Sequence, residues 1–252
     1  PMVVQGNLDI AAVPANLAAT LYQKTEKDVS VLAVNTLGVL YIVENGDSVK
    51  SVEDLKGKTI YASGKGATPE YALDSVLEAS GIDPEKDVTI EYKSEHAEVV
   101  SALAQDQTAV GLLPQPFVTT ALMKNDKLKV ALDLNELWEA SMNDDSRLVT
   151  GVVIAKNEFI KDHADQVDAF MDAYKESVDF VNSDTEAAAQ IIGDHDIIPK
   201  EVAQKAIPEC SIVFIEGDDM KTMLSGYLTT LNDQNPQIIG GQLPDDGFYY
   251  KR

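Results

Sequence analysis

Two long runs of apolar and β-branched residues, Val29 to Val43 and Arg147 to Ala155, stand out along the chain. Such runs predict buried strands, and each carries a mid-strand glycine, Gly38 in "TLGVLYIV" and Gly151 in "VTGVVIA". Between them, short apolar runs alternate with segments of helical period. The predicted strands are "KTIYAS" at 58–63, "DVTIEY" at 87–92 and "TAVGLLP" at 108–114. The predicted helices are Pro69 to Ser80, closed by Gly81, then Ala97 to Gln105, then Phe117 to Asn125. This alternation predicts a parallel sheet covered on both faces, one lobe running from Ser51 to Met142.

After Ala155 the pattern turns helical. In "HADQVDAFMDAYKESVDFVN" the residues Val167, Phe170, Met171, Tyr174, Val178 and Val181 fall on one stripe, the side that faces a core. Further helices follow in "SDTEAAAQIIGDH", in "PKEVAQKAI" and in "GDDMKTMLSGYLTTLNDQN", and "GGQLPDDGFYYKR" forms a turn-rich aromatic tail that tucks onto the body. These helices need a sheet, and outside the middle lobe and the two linking runs the only candidate strand is "LDIAAVP".

That strand has an echo. At an offset of one hundred, "IAAVPANLAATL" at 10–21 lies on "AVGLLPQPFVTTAL" at 109–122, with Pro14 on Pro114, Gln5 on Gln105 and Thr20 on Thr120. Each reads as an apolar strand, a proline and a helix. A repeat of this kind predicts two lobes built alike, with chain order lobe one, crossing strand, lobe two, crossing strand, lobe one. The boundaries are 1–36 and 150–252 for lobe one and 37–149 for lobe two. A complete β-α-β-α unit precedes the Pro114 corner, whereas only "PMVVQGN" precedes Pro14, so lobe one is expected to lack an upstream β-α-β segment. Crossings near Gly38 and Gly151 would form a double-stranded hinge that opens and closes a cleft.

In parallel α/β sheets, ligands sit beyond the carboxyl ends of strands, where loops enter helix N-termini. The corner richest in such features is "YASGKGATPEYAL". Gly64 and Gly66 let the backbone curl, Thr68-Pro69 opens a helix whose free N–H groups bind anions or polar oxygens, and Lys65 adds a positive charge. A second polar corner, "KSEHAEVV", opens a helix with Ser94, Glu95 and His96, where a surface cap is the plainer reading.

Composition narrows the function classes. Lys and Arg number 20 against 42 Asp and Glu, a formal charge of -22 that repels phosphate backbones and anionic headgroups. Neither nucleic-acid binding nor a membrane-surface role fits. The lone Cys210 cannot form an internal disulfide and has no CxxC or Cys/His companion for zinc. No apolar run is long enough to span a bilayer. GxxxxGK[ST], GxGxxG, GxSxG, HExxH and an EF-hand loop are all missing from the sequence. His163 and His195 sit among acids in helix-end contexts, and the pairs Asp144-Asp145, Asp218-Asp219 and Asp245-Asp246 read as solvated turns or caps. The sequence therefore predicts no catalytic residues, no metal and no cofactor.

In combination, "VQGNLDIAAVPANLA", "VNTLGVLYIVE", "SVEDLKGKTIYASGKGATPEYAL", "LLPQPFVTTAL" and "LVTGVVIAKNEF" resemble the solute-binding proteins of bacterial ABC importers, in the nitrate/sulfonate/taurine branch that also holds binders of thiamine pyrimidine precursors. The resemblance runs through the distal "PQIIGGQLPDDGFYY" and so covers nearly the whole chain. It implies an α/β, two-lobe type II periplasmic-binding-protein fold that closes on a small polar or anionic solute and delivers it to a membrane permease, without catalysis. The alternative is an enzyme on the same fold, as in menaquinone- or pyrimidine-precursor biosynthesis. Carried over by position, the ligand-facing residues would be Pro14, Ala15, Asn16, Asn35, Thr36, Ser63, Gly64, Lys65, Gly66, Ala67, Thr68, Gln115, Pro116, Thr150 and Gly151. Tyr41, Tyr61 and Phe117 are candidates for aromatic walls of the cleft or, equally, for core packing. The resemblance also implies a monomer outside the cytoplasm, periplasmic or held as a lipoprotein at the outer face of the membrane.

Overall fold

The computed structural model describes every residue except 1, 2, 4, 107 and 143–145. The predicted Asp144-Asp145 pair lies outside the described residues, as does most of the "PMVV" start. From the N-terminus run β1 (Ile10–Pro14), α1 (Ala15–Lys24), β2 (Val29–Thr36), β3 (Leu40–Asn45), β4 (Thr59–Ser63), α2 (Thr68–Ala79) and β5 (Thr89–Lys93). Next come α3 (His96–Gln105), β6 (Val110–Pro114), α4 (Phe117–Lys124), β7 (Leu128–Asp133), α5 (Leu134–Ser141) and β8 (Gly151–Lys156). The chain continues through α6 (Asn157–Asp162), α7 (Ala164–Ser183), α8 (Thr185–Asp194), α9 (Lys200–Ala206), β9 (Ile212–Ile215) and α10 (Gly217–Gln234).

These elements form two compact units, one of Pro1–Leu37, Asp145–Ala188 and Ser211–Arg252, the other of Gly38–Asp144 and Ala189–Cys210. The sequence assigned all of 150–252 to lobe one. In the structure, residues 189–210 belong to the second unit, because Val202, Ala203, Ala206 and Ile207 bury an apolar face and α9 packs on α4.

The first unit holds a four-stranded sheet in the order β1-β8-β2-β9, antiparallel throughout. Central β8 buries Val152, Val153, Ile154 and Ala155 in succession, which is why its sequence is apolar without alternation. Beneath it, Leu32, Val153, Ala155, Val167 and Met171 form a core, with Phe170, Tyr174 and Phe214 packed against them. The predicted α7 stripe thus faces this sheet. The C-terminal tail does dock on the unit: Phe248 is fully buried against Tyr22, with ring centroids 5.1 Å apart, and the Tyr250 amide donates to the Val31 carbonyl at 2.9 Å.

The second unit holds a five-stranded sheet in the order β5-β4-β6-β3-β7. Its β5-β4-β6 part is parallel, as the alternation of strands and helices predicts, but β3 runs antiparallel to both β6 and β7. Tyr41, Val43, Val99, Leu103, Leu113 and Val118 make one core cluster of this unit, and Trp138 of α5 is also fully buried.

Three expectations need correcting. Val29 to Val43 is not one strand: residues 37–39 break it, and its halves β2 and β3 join different sheets. Gly38 therefore lies between strands, at a place where a Cβ would come within 2.5 Å of the Asn135 Cβ. Likewise Gly151 opens β8 instead of sitting mid-strand, since residues 147–150 are not extended into the sheet. Finally, "LDIAAVP" has a companion the sequence did not reveal, β9, in the sheet of the first unit, and the middle lobe holds a further unread strand, β7.

Candidate functional site

In the first unit the predicted residues converge on one end of the sheet. Pro14 of β1, Gly151 of β8 and Thr36 of β2 stand in one register row across three adjacent strands. Thr150 ties the row together: its carbonyl accepts from the Ala15 amide at 3.3 Å, its amide donates to the Thr36 carbonyl at 3.1 Å, and its hydroxyl donates to the Leu37 carbonyl at 2.6 Å. Asn35 is the extra residue where the β2–β8 register slips, between the pairs Val34↔Val152 and Thr36↔Gly151. A bulge re-aims a side chain. Here the Asn35 amide donates to the Tyr174 hydroxyl at 3.1 Å while its carbonyl oxygen accepts from the Thr36 hydroxyl at 3.3 Å. A Cβ on Gly151 would stand 2.5 Å from that Asn35 oxygen, so the glycine is required by the bulge. No side chain caps α1, which opens at Ala15, and no acid lies in its first turn. That end keeps its partial positive character.

In the second unit the predicted residues gather at the carboxyl ends of the parallel strands. Ser63 ends β4, opposite Lys93 of β5, and β6 on the other side of β4 ends at Pro114. Ser63 is only 3% exposed, and its hydroxyl lies 2.5 Å from Nδ1 of His96. His96 opens α3, and its ring packs on Phe117, the first residue of α4, with centroids 4.7 Å apart. Burial holds the His96 imidazole below its ordinary pKa, with Glu95 opposing the shift. Gln115 uses its side-chain oxygen to accept from the Thr119 amide and hydroxyl at 3.2 and 2.8 Å, and its backbone amide donates to Val39 at 3.0 Å. The Gln115–Pro116 peptide is cis.

The glycine loop is more occupied than the sequence implied. Gly64 and Gly66 have φ of 81° and 76°, values that favour glycine. Yet the Gly66 amide donates to the Glu70 carboxylate at 2.5 Å and the Ala67 amide to the Gly64 carbonyl at 3.0 Å. Two backbone donors expected to be free are thus engaged, one because the first-turn acid of α2 folds back on its own N-terminus and the other by the turn itself. Lys65 is exposed and lies over the Tyr92 ring at 5.5 Å, while Thr68 is buried. Among the proposed aromatic walls, Tyr41 belongs to the core and donates its hydroxyl to the Glu209 carbonyl at 2.9 Å, whereas Tyr61 lies under the Lys93 ammonium at 4.8 Å.

His96 is the corner residue whose partner the sequence did not show, since a histidine opening a helix reads as a surface cap. Its signal was position: it follows β5 at the same end of the sheet at which Ser63 closes β4. His163 packs on Phe159 and His195 is exposed. The Cys210 thiol is pushed up to about 11 by burial and then by Glu209, so it is not a poised nucleophile. Among the described residues, no group of three or more His, Cys, Asp or Glu side chains could hold a metal ion. Nor, among the described residues, is any helix long and apolar enough to cross a membrane.

The family model described as "NMT1/THI5 like" matches residues 2–188. The chain belongs to that family. No curated protein matches the sequence. Among solved structures, this NMT1/THI5-like chain superposes on an ABC transporter from Parabacteroides distasonis with a TM-score of 0.83 and 23% identity, covering 100% of this chain and 84% of that one. It superposes on the periplasmic aliphatic sulphonate binding protein SsuA of Escherichia coli with a TM-score of 0.79 and 15% identity, covering 99% and 78%. A Candida albicans gene product exhibiting the generic periplasmic binding protein structural fold matches with a TM-score of 0.60 and 15% identity, covering 97% and 77%. The fold is that of the periplasmic binding proteins.

Proposed function

We propose that this NMT1/THI5-like chain binds a small polar solute without transforming it, outside the cytoplasm, and hands it to the membrane permease of an ABC importer. The observation that carries this reading is the corner of the second unit, where Ser63, His96, Gln115 and Phe117 collect at the ends of adjacent parallel strands. A polar solute finds there the imidazole packed on the Phe117 ring, and Gln115, at the end of the neighbouring strand, keeps a side-chain NH2 with no partner among the described residues. An anion would have to compete with Glu70 for the Gly66 amide, which favours a solute whose recognition does not need that donor. The names carried by the superposed structures, an ABC transporter and a periplasmic sulphonate binder, support transport as the context.

One observation favours catalysis instead, the Ser63–His96 contact, since a serine beside a histidine is how many nucleophilic sites begin. Among the described residues, however, no side chain hydrogen-bonds the far nitrogen of His96 to orient it. Calorimetric titration of the protein with an alkanesulfonate, nitrate and a neutral aminopyrimidine distinguishes the readings. Binding with no product by mass spectrometry, weakened by Ser63→Ala and His96→Ala, is expected. Turnover, or titrations unchanged by both variants, would overturn the assignment.

A further inference from the structure

On the α4 side of the second unit lies a cavity of about 490 Å³, within the usual range for small-molecule sites. Its lining combines two chemistries. Val118, Leu122, Met123 and Val130 give an apolar wall, and Met123 and Val130 are 44% and 40% exposed. Lys205 and Glu209 supply one charge of each sign. Four residues apart, they would pair on a continuous helix. Here α9 ends at Ala206 and a 3-10 turn covers Ile207–Glu209, and the two side chains stand exposed, with no ion pair or side-chain hydrogen bond among the described residues. Tyr41 cannot neutralise Glu209, because its hydroxyl is spent on the Glu209 backbone carbonyl.

We infer that this cavity is a second binding site, for a small zwitterion with an apolar side group, of the kind represented by an aliphatic or aromatic α-amino acid. The ligand's ammonium group meets Glu209, its carboxylate meets Lys205, and its side group covers Met123 and Val130. A ligand with a single charge would engage only one of the two side chains. A purely anionic amphiphile is further disfavoured by the formal charge of -22 on the chain. The cavity adjoins the solute corner through Gln115, which lines it, whereas Ser63 and His96 do not, so variants of Ser63 and His96 report on the corner alone.

The test is titration of the whole protein, with labelled Met, Leu and Val methyl groups, by L-leucine and L-phenylalanine, using N-acetyl-L-phenylalanine amide as the uncharged control. Shifts centred on Met123, Leu122 and Val130 are expected, with the control and the variants Lys205→Met and Glu209→Gln each binding at least about tenfold more weakly. Both substitutions fall on exposed positions. Three outcomes overturn the inference: no shift with either amino acid, equal binding of the uncharged control, or methyl shifts that follow protein concentration without ligand, which mark contact with a second copy. Failure here leaves the Ser63 corner untouched, because that corner is read from its own titration.

Discussion

Ser63→Ala separates a working polar corner from an incidental contact. The substitution removes the hydroxyl that faces His96 Nδ1 from a residue only 3% exposed. The lost bond contributes about 1 kcal/mol, and leaving the half-buried imidazole nitrogen unpartnered raises the cost to about 1–2 kcal/mol. For a chain of this length that lowers Tm by roughly 2–8 °C. Ser101→Ala is the control: Ser101 is exposed and bonds the carbonyl of its own helix at 2.9 Å, so its loss costs under about 0.5 kcal/mol. A pH arm adds a second readout. Because burial holds folded His96 below its ordinary value near about 6.5, the unfolded chain takes up the proton first. Stability from this residue is therefore fully present above about pH 6.5 and declines as pH falls through the lower folded value. Glu95→Gln removes the opposing charge and moves the imidazole lower still. Denaturant titrations at neutral and mildly acidic pH, with imidazole NMR, read both effects. If Ser63→Ala melts with Ser101→Ala, or the imidazole titrates at or above its ordinary value, the corner is not built as described.

Gly151→Ala places a methyl 2.5 Å from Asn35 Oδ1 and 3.3 Å from Thr36 Cβ, so it should cost about 1–3 kcal/mol, measured by denaturant titration, and disturb the Asn35–Tyr174 bond. Asp74 is pushed up to about 6 by burial first and by Glu70, Glu78 and Glu85 next, in an acidic groove of about 920 Å³. Its ionisation opposes folding as pH rises from about 4 to about 6, so Asp74→Asn should stabilise at pH 7 by about 1 kcal/mol after screening, with no gain below about pH 4. Phe248→Ala empties a fully buried site against Tyr22 and should cost about 3–5 kcal/mol, seen as a lower Tm.

What was legible in the sequence was periodicity and punctuation. The α7 stripe, the β4-α2-β5-α3-β6-α4 alternation and the proline corners each report one local preference at a time, and each matches an element of the structure. What was illegible depended on distant chain. The break at residues 37–39 is hidden because both flanking halves are buried strands, one in each sheet. β9, "IVFI", is four residues of intermediate burial whose partner β2 lies far away in sequence. β7 and α5 did leave a signal, since Asp133 ends the strand and caps the helix by accepting from the Asn135 amide at 2.7 Å. At the site, residue positions could be read but their partners could not. Nothing in "SGKGATPE" says that Glu70 rather than a ligand takes the Gly66 amide, and nothing in "KSEHAEVV" says that His96 turns to Ser63.

The most direct test of non-catalytic capture is native mass spectrometry of the purified protein after incubation with a cell extract, wild type beside His96→Ala. A small non-covalent adduct on the wild type, absent from the variant and released chemically unchanged on denaturation, is the predicted result. A released molecule altered from the one supplied, or the same adduct on both proteins, would contradict it.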